Sequence, residues 1–309
     1  MASTHSKFYL GFLVPNLFSM IAVGGAKFLS DSMEEKSLAS GILIFSNFII
    51  VPLAMGIISA YFWRDRTMKN GAYVGWSAVN TFVAILLSAI FLKEGTICLL
   101  IVSPLIFGFI VAGAFIGKVM FRKSNNTLNV SLLGVLVLIF IGDLFSKHEY
   151  TNKVSDTVIV NAPIEIVWPL VAEYEPIEVK GEYWLFKLGM PSPIQSTVDG
   201  HFAGAGRKCI FSNGYVFDEK MTVYEPNKEL TFDIISQPRD PEIMGHIDIL
   251  RGQFILKDNG DGTTTIIGNS WYKLYIFPVW YFDLWAVSIT RNVHLRVMEH
   301  IKTLSEKGV

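Results

Sequence analysis

The stretch "SDTVIVNAPIEIVWPLV", residues 155–171, decides the fold of this chain's second half. Thr157 to Val160 alternates as a β-strand, Asn161 can cap a helix, and that helix holds Pro163 and Glu165 in its first turn. Ile164, Trp168, Val171 and Tyr174 then recur at helical spacing, so one face is apolar. Pro169 is expected to kink this helix. A strand, a turn and an amphipathic helix are how a water-soluble domain begins, yet some 150 strongly apolar residues precede them.

Downstream lies a loop-rich segment around "GMPSPIQ", residues 189–195, and then six strand-like runs. They cover Ser196 to Phe202, Arg207 to Ser212, Tyr215 to Tyr224, Glu229 to Ser236, His246 to Lys257 and Thr263 to Tyr275. "EPNKE" (225–229) and "DNGDG" (258–262) read as hairpin turns, because Asn, Asp and Gly tolerate the positive φ such turns require. A long helix from Pro278 to Ser305 closes the chain, with Ile289, Val293, Val297, Ile301 and Leu304 as its apolar stripe. This order predicts an α+β domain in which a curved antiparallel sheet wraps a long C-terminal helix.

Upstream, five apolar runs approach or exceed the roughly 20 helical residues that cross a bilayer core: Phe8 to Phe28, Leu38 to Trp63, Ala72 to Leu92, Ile97 to Phe121 and Leu128 to Phe145. The chain therefore reads as an α-helical membrane region over residues 1–150 and a second domain over 151–309. Lys7 followed by Ala22-Val23-Gly24 has the form of a cleavable leader, but the four later spans favour an uncleaved first helix. Arg64, Arg66, Lys69, Lys118, Arg122 and Lys123 mark two loops as cytoplasmic, and Lys7 puts the N-terminus on the same side. With five spans the C-terminal domain lies outside the cytoplasm; if Leu128 to Phe145 does not span, it lies inside. The compact span arrangement suits a bacterial inner membrane. Asn16, Asn47 and Asn80 are expected to bond across helices, with a polar path or head-group site between helices as the functional alternative for Asn47 and Asn80. Pro15, Pro52 and Pro104 are expected as tolerated kinks, and Glu94 as an interfacial charge beside Lys93.

Composition narrows the function. Residues 151–309 carry 15 basic and 20 acidic side chains, which argues against a nucleic-acid partner. Cys98 and Cys209 imply no disulfide framework. No metal is expected: His294 and His300 point to different helix faces, and neither HExxH nor a cysteine pair occurs. No nucleotide cofactor is expected either, since the Gly-rich "GHFAGAGRKC" precedes a strand instead of opening a helix.

The opening "VSDTVIVNAPIEIVWPLV", the pair "MTVYEPNKELTFDI" and the closing "VHLRVMEHIKTL" together resemble the helix-grip fold of the START-like and polyketide-cyclase-like superfamily, which includes the birch pollen allergen family. The resemblance covers about residues 152–307. It implies an apolar ligand held between sheet and final helix, and it supplies no universal catalytic residue. Independently, a strongly curved sheet around one helix leaves space that side chains do not fill. Period-two reading puts Tyr215, Phe217, Met221 and Val223 on one strand face, and His246, Asp248, Leu250 and Phe254 on another. Trp271 and Trp285 add flat apolar surface, and Arg291 and His294 share a helix face. The expected ligand-binding set is Tyr215, Phe217, Met221, His246, Asp248, Trp271, Trp285, Arg291 and His294. A lipid or other hydrophobic small molecule is the expected partner. An imidazole held by a carboxylate in this set offers the alternative of a cyclase- or dehydratase-type enzyme, and a closed cavity would leave an assembly or regulatory role.

Overall fold

Alternating burial carries the first strand further toward the N-terminus than Thr157. In the computed structural model, β1 runs Tyr150–Val160, because Val154, Asp156, Val158 and Val160 all point inward while their neighbours face solvent. The structure describes residues 4–31, 46–92, 95–121, 130–144, 149–179, 181–238 and 246–307. They fall into two compact units, 1–148 with 275–278 and 149–274 with 279–309.

In the second unit, β1 is followed by helix α6 (Ile164–Ala172), a short turn of helix α7 (Trp184–Lys187), six strands and the long helix α8. The strands are β2 (Pro193–Val198), β3 (Gly206–Phe211), β4 (Val216–Glu225), β5 (Glu229–Ser236), β6 (Ile247–Asp258) and β7 (Thr264–Leu274); α8 spans Val279–Lys307. They form one antiparallel sheet in the order β1-β7-β6-β5-β4-β3-β2, so the first strand closes onto the last. Both turn motifs behave as expected: Asn227 sits at φ 60°, Gly260 at 77° and Gly262 at 83°. The helix start differs. Pro163 occupies the N-cap position and no side chain caps α6, while the Asn161 backbone N–H donates instead to Glu306.

The core of this unit lies between the sheet and the C-terminal half of α8. Val158, Val160, Met221, Leu230, Phe232, Phe254, Leu256 and Ile266 from the sheet meet Val297, Met298 and Ile301 from α8 and Val167, Trp168 and Val171 from α6. Gly252 belongs to this packing: a Cβ there would sit 2.4 Å from the Phe232 ring, so only glycine lets that ring lie flat on the strand.

Helices make up most of the described residues of the first unit. Helix α1 covers Thr4–Asp31; a π-helical turn, Ser46–Ile50, leads into α2 (Val51–Trp63); α3 (Asn70–Leu87) ends in a second π turn, Ser88–Leu92; α4 covers Thr96–Met120 and α5 Val130–Leu144. Among the described residues, four helical stretches are long and apolar enough to cross a membrane: Ser6–Gly25, Ser46–Trp63, Asn70–Phe91 and Thr96–Met120. Helix α5 has 15 residues, about 22 Å of rise, which is short of a hydrocarbon core of about 30 Å. Lys93, Glu94 and residues 32–45, 122–129 and 145–148 lie outside the described residues.

Asparagines do tie these helices together. Asn16 donates to Asn80 Oδ1 at 2.9 Å, and Asn80 donates to Ser59 Oγ at 2.9 Å and to the Gly11 carbonyl at 3.2 Å, which joins α1, α2 and α3 through buried polar groups. Asn47 is buried on the π turn before α2. The Asp143 carboxylate of α5 accepts from the Ser46 backbone N–H at 2.7 Å, placing a negative charge at the N-terminal end of the α2 stretch. Helices α2 and α4 meet through small residues, with Gly56, Gly113 and Gly117 against the opposing backbone or Ala60.

Candidate functional site

The inner face of the sheet changes character along its length. At one end, inward side chains are sealed: Leu230, Ile266 and Met221 are fully buried and Phe232, Phe254 and Leu256 nearly so. Moving along the same strands toward the other end, Phe232 gives way to the half-buried Ile234 on β5, and Leu256 and Phe254 give way to the half-buried Ile249 on β6. On β7 the inward series Ile266, Gly268, Ser270, Tyr272 includes one half-buried member, Ser270. The grip is therefore sealed at one end and only partly covered at the other, along Ile234, Ile249 and Ser270.

Where it opens, a line of polar groups runs from β1 through α8 to β7. His294 on α8 is buried, with Nδ1 3.0 Å from Asp156 Oδ2 and Nε2 2.7 Å from Ser270 Oγ. Arg291, one helical turn earlier, puts Nε 3.3 Å from the other carboxylate oxygen of Asp156, and its own side chain is 63% exposed. Burial holds the His294 imidazole below its ordinary value despite the opposing pull of Asp156, so the ring is neutral at neutral pH. With Asp156 accepting, the ring proton sits on Nδ1, and Nε2 accepts from the Ser270 hydroxyl.

Nearby polar groups are committed elsewhere. The Tyr272 hydroxyl donates to Asp283 Oδ1 at 2.5 Å, and Asn152 donates to the same carboxylate at 3.1 and 3.2 Å. Burial pushes the Tyr272 phenol up, so it keeps its proton. On the far side of the sheet's inner face, Arg207 pairs with Glu219, both buried, and its Nε donates to the Ala172 carbonyl at 3.0 Å, as Ser196 Oγ does. A guanidinium and a hydroxyl thus satisfy a carbonyl left open at the C-terminal end of α6. Burial pushes the Glu219 carboxyl up against the pull of Arg207, and pushes the adjacent Cys209 thiol up to about 12.

The structure distributes the nine sequence-predicted residues over several places. His294 and Arg291 meet at the relay. Phe217 and Met221 face inward on β4, with Phe217 against Phe211 (ring centroids 4.9 Å apart) and Met221 in the sealed core. Tyr215 lies just before β4 and is half-buried. Trp285 packs edge-to-face with Trp184 at 6.2 Å on the flank of α8. His246 and Asp248 do not join them. A bulge between Ile249 and Arg251 breaks the alternation of β6, so Ile249 pairs with the inward Tyr272 and Asp248 with the outward Lys273. The same face rule places Trp271 outside: it pairs with Lys153 and Arg251, between the inward Ser270 and Tyr272, and the Lys153 ammonium lies 4.7 Å from its ring centroid. The carboxylate beside His294 is therefore Asp156. Its signal in the sequence is an acid at an inward position of an otherwise valine-lined strand, and Ser270 has the weaker signal of an inward parity shared with Tyr272. Among the described residues, no group of three His, Cys, Asp or Glu could hold a metal ion.

Comparison with protein-family profiles finds no match. Comparison with curated protein sequences finds none either. Solved structures do align. A truncated norcoclaurine synthase from Thalictrum flavum matches at 13% identity over 52% of this chain and 96% of its own, with a TM-score of 0.36. An aromatase/cyclase from a Streptomyces species, R1128, matches at 13% identity over 51% and 95%, with a TM-score of 0.36. A protein from Nitrosospira multiformis matches at 18% identity over 47% and 93%, with a TM-score of 0.31. By its strand order, its register and its closing helix, the C-terminal unit of this chain is a helix-grip domain.

Proposed function

We propose that the protein is a membrane-anchored binder of a lipid or other hydrophobic small molecule, held between the inner face of the sheet and α8. The observation that carries this reading is the open end of the grip, where Ile234, Ile249 and Ser270 are inward yet only half-buried. Apolar side chains left partly uncovered on a concave face gain about 25 cal/mol for each Å² that a ligand shields from water. A neighbouring polar relay would fix the ligand's orientation. The four long apolar helices supply the anchor. Counted as a fifth span, α5 would put this domain outside the cytoplasm with the N-terminus inside; lying along the membrane surface, it would leave the domain cytoplasmic.

A substitution that plugs the open end tests this. Full-length protein in lipid nanodiscs should take up the neutral dye N-phenyl-1-naphthylamine above the level of empty nanodiscs. Ile249→Trp should cut that uptake by about tenfold or more, as a bulky ring occupies ligand space, while Ile235→Trp, on the 64% exposed outer face, should leave it unchanged. Equal uptake by the two variants would contradict the placement of the site.

One observation favours a second reading. A neutral imidazole held by Asp156, with Nε2 accepting from the Ser270 hydroxyl, has the form of a general base that acts through that hydroxyl. The domain would then act as a cyclase- or dehydratase-type enzyme on a hydrophobic substrate. Loss of turnover with retained dye uptake in His294→Ala would distinguish this from binding alone.

A further inference from the structure

We propose that the Asp156–His294–Ser270 relay selects a hydrophobic ligand whose polar end is a hydroxyl group, and rejects the same chain ending in an ether, a ketone or a carboxylate. The inference rests on the binding reading above and names the ligand class of that same site.

Each proton in the line has one place. Asp156 Oδ1 holds Arg291 and Oδ2 accepts from His294 Nδ1. His294 Nε2 then has one lone pair, and the Ser270 hydroxyl, 2.7 Å away, donates its only proton to it. What Ser270 presents to the open side is therefore an oxygen with free lone pairs and no proton. The next inward residue on β7, Tyr272, cannot supply a donor, because its proton is committed to Asp283. A ligand hydroxyl completes the line by donating to Ser270 Oγ. An ether or ketone oxygen meets it acceptor to acceptor, which leaves both groups unsatisfied away from water. A carboxylate, which also only accepts, meets it in the same way.

The direction of the line is set at Asp156, and that makes it reversible. In Asp156→Asn, Arg291 still demands an acceptor and so turns the amide oxygen toward itself. The amide N–H₂ then faces His294 Nδ1, forces the proton onto Nε2, and leaves the Ser270 hydroxyl free to donate outward. The inverted line prefers an acceptor. Ser270→Ala removes the reader and leaves no preference.

The test uses full-length protein in nanodiscs, with displacement of bound N-phenyl-1-naphthylamine by tetradecan-1-ol, its methyl ether, tetradecan-2-one and myristate. Ratios between competitors are compared across variants, which cancels their different partitioning into lipid. Folding of each variant is checked by circular dichroism. For the wild type, the alcohol should displace the dye at about tenfold lower concentration than the ketone or ether, relative to Ser270→Ala. In Asp156→Asn the alcohol-to-ketone ratio should fall below that of Ser270→Ala. An identical ratio in all three proteins would overturn the proposal while leaving the binding reading intact. Absence of dye binding to the wild type would overturn the binding reading itself. If Asp156→Asn does not fold, the comparison of wild type with Ser270→Ala decides alone.

Discussion

Arg207 shows how one side chain can hold two elements in register. It pays for burial by pairing with Glu219 and by donating to the Ala172 carbonyl, so its removal leaves a buried carboxyl group without its partner and the carbonyl with Ser196 alone. Arg207→Met is expected to cost roughly 3–5 kcal/mol, read by urea unfolding of the full chain in detergent with tryptophan fluorescence. The double change Arg207→Met, Glu219→Leu should recover most of it; a double variant no more stable than the single would contradict this account. His294 supplies a pH signature of defined sign. Its folded value is depressed by burial, so the unfolded chain binds more protons in the window just below the ordinary 6.5, and stability falls as pH falls through it. His300, also depressed chiefly by burial, adds in the same direction, whereas the raised carboxyl of Glu219 acts in the opposite one. Melting of the wild type should therefore lose more between pH 7 and pH 5 than melting of His294→Gln, and equal losses would contradict a buried neutral imidazole.

At the scale of elements, both units depend on places where backbone approaches backbone. On α4, a Cβ at Gly113 would lie 2.0 Å from the Leu53 carbonyl of α2, and one at Gly56 would lie 2.1 Å from the Ile110 carbonyl. These contacts cannot yield without separating the helices. Gly113→Leu should lower the detergent-solubilised melting temperature by the equivalent of at least about 1–3 kcal/mol. Gly108→Leu on the same helix, with open space around it, should not. An equal drop for both would mean that helix propensity, and not close approach, is at work. The legibility of the elements follows the same physics. Strands β5 and β7 are readable because the turns before them carry Asn or Gly at positive φ, and helix α8 because its apolar stripe recurs at helical spacing. The first seven residues of β1 are not, since an edge strand with polar residues outward lacks a dense apolar signal until its inward valines are counted.

For the whole molecule, the sequence divides cleanly into an apolar helical part and a helix-grip part, because burial in lipid and burial in a sheet demand different periodicities. The site was only half legible. His294 and Arg291 declare themselves by their spacing on α8, but the one carboxylate the sequence offers for the expected set is Asp248, and the structure puts Asp156 beside them instead. A single inserted residue on β6 reverses the facing of everything before it, and no residue type near Ile249 announces that bulge. Asp156 lay 138 positions from its histidine, joined only once the first strand had closed onto the last.

The central claim is that the open end of the grip holds a hydrophobic molecule. Native mass spectrometry of full-length protein released from membranes in mild detergent, followed by organic extraction, tests it most directly. One discrete apolar small molecule per chain is expected, retained by the wild type and lost from Ile249→Trp. A wild-type chain that carries no such molecule and takes up none when offered would contradict it.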